Sequence, residues 1–157
     1  MRNIKTIFIL VLSLILFAVS CSNEDKTGET ETIETIDAKD FPQDLLGTYK
    51  DDKVAASPGY VVNFDTKVSY DETTTKTTKI EGNWLKDGVT PAETYRCGAF
   101  IEKWKQTKKG GKTIKLEGEY VKGEEKYTVI YDYASGTLSG TCVHPDVTAL
   151  FNGKKIN

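Results

Sequence analysis

The chain has 157 residues, with 21 basic and 23 acidic side chains, a formal charge of −2 and 38% hydrophobic residues. A balance this near neutrality gives no electrostatic basis for binding nucleic acid or another polyanion. One histidine, His144 ahead of Pro145, and three cysteines do not reproduce a zinc-ligand spacing. No glycine-rich strand-to-helix loop offers a phosphate cradle, and the carboxylates are scattered rather than set out as a glycosidase dyad. No metal, no cofactor and no catalytic residue is expected, and the protein reads as a non-enzyme.

Taken in chain order, Arg2 and Lys5 form a short cationic start, and Ile7 to Val19 is apolar except for Ser13. Ser20 then supplies a small residue ahead of Cys21. This is the three-part layout of a secretory signal over residues 1–20, and its apolar run is too short for a spanning helix of about 20 residues. The stretch Phe17-Ala18-Val19-Ser20-Cys21 resembles a bacterial lipoprotein signal, with Ala18 where a Leu is usual. The resemblance implies that Cys21 becomes the first mature residue and carries several acyl chains, palmitate among them. One chain holds a protein only reversibly, whereas several anchor it firmly. An ordinary cleaved signal followed by an unrelated Cys is the alternative.

Residues 21–40 read as the lipidated Cys and a tether. Ser22 to Asp40 holds seven acidic residues against two lysines, and Ile33 and Ile36 are its large apolar residues. Such a segment buries too little apolar surface to offset its ordering entropy, so an extended, charged linker is expected, reaching up to ~60 Å. Ser22-Asn23-Glu24-Asp25 resembles the short acidic signals that send some lipoproteins to the outer face of the outer membrane, and a solvated spacer accounts for the same residues. The absence of Asp directly after Cys21 argues, by the same resemblance, against inner-membrane retention. The location expected is the cell envelope, at the outer membrane, facing the periplasm or the surface.

Residues 41–157 suit one domain of formal charge about +1, so the acidity of the chain belongs to the tether. Period-2 alternation dominates. Tyr127, Val129, Tyr131 and Tyr133 share one face, as do Ile114, Leu116, Gly118 and Tyr120, and Tyr60, Val62 and Phe64 form a shorter case. Turn residues at Gly110-Gly111, Lys122-Gly123-Glu124 and Ser135-Gly136 separate the runs. Strands are expected near 45–51, 59–66, 68–73, 76–85, 96–106, 112–121, 125–134 and 137–143, with a short one within 147–154. The final four of the eight join through short turns and should form an antiparallel meander. An apolar-x-Gly-x-aromatic-or-Cys pattern recurs at Leu45 to Tyr49, Ile80 to Trp84, Leu116 to Tyr120 and Leu138 to Cys142 (centred, in the first case, on Gly47). Glycines there permit the coiling and close approach that small barrels need.

The opening Leu46-Gly47-Thr48-Tyr49-Lys50 resembles the first strand of lipocalin-like domains, in which Tyr49 replaces the usual Trp. The expected fold is therefore all-β: a small antiparallel up-and-down, lipocalin-like barrel or strongly coiled meander of about eight strands. The domain is short for a full lipocalin, and small barrels fill their interiors with side chains.

Two sets of site candidates follow. Tyr49, Trp84, Tyr120, Tyr127, Tyr131 and Tyr133 would line an open cup for a flat or apolar ligand, or else form core. Lys103, Lys105, Lys108, Lys109, Lys112 and Lys115, with Trp104 among them, would make a patch for an anionic glycan, headgroup or acidic protein, or a lysine-rich hairpin that protects a sheet edge. With Cys21 lipidated, Cys97 and Cys142 remain as an even pair in an oxidising compartment. A disulfide between them would stabilise by about 4 kcal/mol in the chain-entropy model, and two separate buried thiols are the alternative. The function expected is a non-catalytic envelope module that binds a small apolar ligand or an envelope partner. The alternative is a protein-interaction lipoprotein such as an inhibitor of a cell-wall hydrolase, acting through a loop at Gly88 to Thr94.

Overall fold

The computed structural model describes residues 29–51, 65–70, 76–89 and 92–156. The expected signal, Cys21 and most of the strand predicted at 59–66 lie outside these residues. Ten strands form one antiparallel sheet: β1 (Glu31–Asp37), β2 (Gly47–Asp51), β3 (Asp65–Tyr70), β4 (Thr78–Lys86), β5 (Thr94–Ile101), β6 (Lys103–Lys109), β7 (Lys112–Lys122), β8 (Glu125–Asp132), β9 (Thr137–His144) and β10 (Val147–Ile156). The order across the sheet is β1-β6-β7-β8-β9-β10-β2-β3-β4-β5, and β10 also pairs with β4. That last pairing closes a ring of hydrogen bonds, so the all-β, antiparallel barrel-like architecture is as the alternation predicts.

Two local devices make the closure work. The stretch predicted as one strand over 96–106 bends at Glu102, and its two halves take different partners: β5 lies on β4, and β6 lies on β7. At the other seam one edge of β10 is divided. Ala149 and Leu150 pair with Lys86 and Leu85, while Gly153–Ile156 pair with Asp51–Thr48. At this fork the amide of Asn152 donates instead to the buried Asp51 carboxylate, at 2.9 Å. A side chain thereby satisfies a backbone group that the ladder leaves over.

The interior is closely packed by large side chains. Trp84, Trp104, Tyr49 and Tyr127 are each at most 1% exposed, with Ile80, Ile101, Leu116, Leu138, Val68 and Val129 filling between them. Each indole N–H needs an acceptor once buried. Trp84 donates to Thr66 at 3.0 Å and Trp104 to Thr78 at 3.2 Å, and both threonines are fully buried. The repeated glycines explain how two indoles fit. A Cβ on Gly140 would stand 2.5 Å from the Trp84 ring, and one on Gly118 would stand 2.7 Å from Ile101 and 3.0 Å from Trp104. Only a missing side chain allows such an approach.

One end of the barrel is stoppered by residues 38–46, which make two short 3-10 turns, Ala38–Asp40 and Gln43–Leu45. Phe41 packs on Trp104 with ring centroids 4.8 Å apart, and Leu45 is buried beside it in the same cluster. Hydroxyls hold the stopper: Tyr49 donates to the Leu45 carbonyl and Tyr70 to the Phe41 carbonyl, both at 2.8 Å.

The tether prediction needs correcting here. Residues 31–37, read from composition as extended linker, form β1 and pair with β6 through the full register from Glu31↔Lys109 to Asp37↔Lys103. Taken alone, the segment buries too little apolar surface to order itself. The strand instead forms on a partner that already presents a complementary edge.

Candidate functional site

The six candidate aromatics are not arranged around an open cup. Tyr49, Trp84 and Tyr127 are buried in the core, and Tyr120, Tyr131 and Tyr133 are half-buried against it. Ring contacts consume their faces: Trp84 meets Tyr127 at 6.1 Å and Phe151 at 6.3 Å, and Tyr131 meets Tyr133 edge-on at 4.9 Å. Burial pushes the Tyr49 hydroxyl well above the usual phenol range. Clefts among the described residues open to solvent at the fork and beside Glu125. A cleft of about 260 Å³ sits at the fork, lined among others by Asp51, Leu85, Leu150 and Asn152.

The cysteine pair also differs from the expectation of a disulfide. Cys97 on β5 and Cys142 on β9 are free, buried thiols. They nonetheless lie close enough for each to shift the other's pKa. Burial raises both pKa values, and at Cys142 hydrogen bonds with Tyr127 and Cys97 offset part of that rise. Thiols held protonated in this way are poor nucleophiles, so the pair has the character of core rather than of a reactive centre.

The pair belongs to a polar chain that crosses the sheet. Tyr95 on β5 donates to Glu125 Oε1 at 2.5 Å, and Tyr127 on β8 donates to Oε2 of the same carboxylate at 2.7 Å. Tyr127 in turn touches Cys142, its direct cross-strand partner. The two phenols hold the Glu125 carboxyl below its ordinary range, while that carboxylate pushes the Tyr95 hydroxyl up to about 12. An open cleft of about 250 Å³ lies alongside, lined by Glu81, Arg96, Cys97, Lys122 and Glu125 among others. Nothing in the alternation marked this network, since Tyr95 and Glu125 are 30 residues apart. Chemically it is a satisfied, half-exposed carboxylate. Both its oxygens are occupied, and neither thiol is ionised.

The lysine run forms the hairpin of β6 and β7. Trp104 points into the core, and Lys103, Lys105, Lys109 and Lys112 are exposed. The open basic patch envisaged from sequence is not present as such, because carboxylates are interleaved with it. Lys108 meets Glu34 of β1 at 2.6 Å, Lys115 meets Glu117 at 3.2 Å and Lys105 meets Glu119 at 4.0 Å. Glu29 lies against the Gly110 turn. The acidic strand that sequence assigned to the tether is thus the neighbour of the basic strand.

The neck of the β4–β5 hairpin is clamped by Lys86, whose amide donates to the Glu93 carbonyl at 2.9 Å and whose ammonium meets the Glu93 carboxylate at 2.6 Å. Residues 90 and 91 of the suggested inhibitor loop lie outside the described set. His144 sits at the β9–β10 turn, where its Nδ1 accepts from the Asp146 amide at 3.3 Å. Comparison with protein-family models, with curated proteins and with solved structures gives no match to this chain.

Proposed function

We propose that the chain is a lipid-anchored lipoprotein of the bacterial cell envelope, held at the outer membrane by acyl chains on Cys21. Its lipocalin-like barrel is a non-catalytic module that binds an envelope protein through its outer surface. The observation that carries the choice of partner is the occupancy of the barrel interior. Two indoles, Tyr49 and Tyr127 stand where an apolar ligand would have to sit, and the 38–46 stopper covers one end. Drug-sized ligands are bound in concave pockets that bury most of their surface, whereas the clefts at the fork and beside Glu125 stand open to solvent. The cationic start, apolar run and small residue before Cys21 support the anchor.

Cell fractionation of the native chain and of Cys21→Ala tests the anchor. The native protein should partition with membranes and yield an acylated N-terminal peptide by mass spectrometry, and the variant should be soluble. Unchanged membrane partition of the variant refutes the anchor. The choice of partner is tested separately by titrating the protein with an apolar fluorescent probe. No saturable binding is expected, and stoichiometric binding that quenches tryptophan emission would restore the small-ligand reading.

A further inference from the structure

β1 is the least embedded strand of the sheet. Every side chain from Glu31 to Asp37 is exposed except the half-buried Ile36, and among the described residues a single neighbour, β6, supplies its ladder. What distinguishes the pair is charge. β1 places Glu31, Glu34 and Asp37 along a strand whose register partners include Lys109, Lys108, Lys105 and Lys103. Opposite charges across a strand pair favour it, and like charges oppose it. The other edge of β1, which no described strand pairs, is protected by the same rule. A second copy pairing antiparallel about Glu34 would set Glu31 against Asp37 and Glu34 against itself.

From this geometry we infer that the β6 edge is a docking site for an acidic, extended segment of a partner protein, added as a strand, and that β1 occupies this site in cis. The site has the three parts such recognition uses. It offers a row of backbone donors and acceptors on β6, lysines that select for carboxylates, and an inner position, filled in cis by Ile36 opposite Trp104, that takes one apolar side chain. The exposed ion pair Lys108–Glu34 holds β1 weakly, because such pairs are screened by water and salt. Ala38, whose amide donates to the Glu102 carbonyl at 2.8 Å, and Phe41 keep the chain attached to the barrel when β1 lifts. The inference rests on reading the barrel as a protein-binding module and gives the chemistry of its partner.

The test uses the full chain and a fluorescent peptide copying residues 29–37, with fluorescence anisotropy as the readout. A second peptide carries Lys in place of every Glu and Asp. Binding of the acidic peptide to the native chain is reduced by the fraction of β1 that is docked. Lifting β1 with the triple substitution Glu31→Lys, Glu34→Lys and Asp37→Lys should therefore tighten it by at least about tenfold. The lysine peptide should not bind either chain, and raising salt should weaken the acidic complex. A second variant, Ile36→Ser, releases β1 without changing charge and should tighten binding in the same direction. Equal binding of the acidic peptide to native and variant chains of equal melting temperature would overturn the inference. So would a variant that captures anionic vesicles but not the peptide. Neither outcome depends on acylation, so failure here is distinct from failure of the anchor.

Discussion

β1 and β8 are strands of similar length in one sheet, seven and eight residues, yet they are held by different forces. β8 has hydrogen-bonded neighbours on both edges and buries Tyr127 and Val129 completely. Among the described residues β1 has one neighbour, and it buries no side chain completely. Burial of a large apolar side chain contributes about 1.5–3 kcal/mol, whereas an exposed ion pair contributes about 0–1. Membership of a sheet therefore says little about how readily a strand leaves it, and local opening follows the buried contacts. In this molecule the strand with the fewest such contacts is also the one that carries the acidic charge.

The contrast can be sharpened first at the core. Trp84→Ala removes an indole that is 1% exposed and orphans the buried Thr66 hydroxyl. A loss of about 3–5 kcal/mol is expected, read by urea denaturation, while a loss under about 1 kcal/mol would mean that the interior collapses freely. Gly140→Ala should cost about 1–3 kcal/mol, because its methyl group meets the Trp84 ring. A neutral result would show that the indole has room to move.

A smaller effect is expected from the Glu125 network, and it depends on pH. The folded carboxyl titrates below its unfolded value. Its stabilisation is therefore present above the ordinary carboxylate range and fades as pH falls through the lowered folded pKa. The Tyr95 hydroxyl is shifted the other way, up to about 12. Its share is complete below pH ~10 and is lost as pH rises towards that value. Tyr95→Phe should flatten both limbs of a stability-against-pH curve while lowering stability at neutral pH by about 1 kcal/mol. An unchanged acid limb would show that the 2.5 Å contact is not coupled to folding.

Much of this contrast was legible in the sequence on one side and hidden on the other. Alternating residues marked β7, β8 and β9 to within two residues, because a strand with one buried face must show period 2. The glycine pattern located Gly118 and Gly140, where indole and isoleucine approach the backbone. The bend at Glu102 was not legible. Both halves of that stretch alternate, and the change of partner is a tertiary event. β1 was hidden for a related reason. An acidic segment with two isoleucines looks like linker until the lysine strand some 70 residues later is set beside it. The candidate site stays open in the sequence where burial decides. Tyrosines on one strand face serve equally as a ligand cup or as packing, and it took the positions of Trp84, Phe151 and the 38–46 stopper to assign them to the core.

The smallest expected effect is also the most direct test of the claim that packing holds the barrel while charge and one edge hold β1. Amide hydrogen exchange, followed by mass spectrometry at low and at high salt, reports both strands in one experiment. Peptides covering 31–37 should exchange at least about tenfold faster than those covering 125–132 and should speed up further as salt screens the Lys108–Glu34 pair, while β8 stays unchanged. Equal protection of β1 and β8, insensitive to salt, would contradict the account.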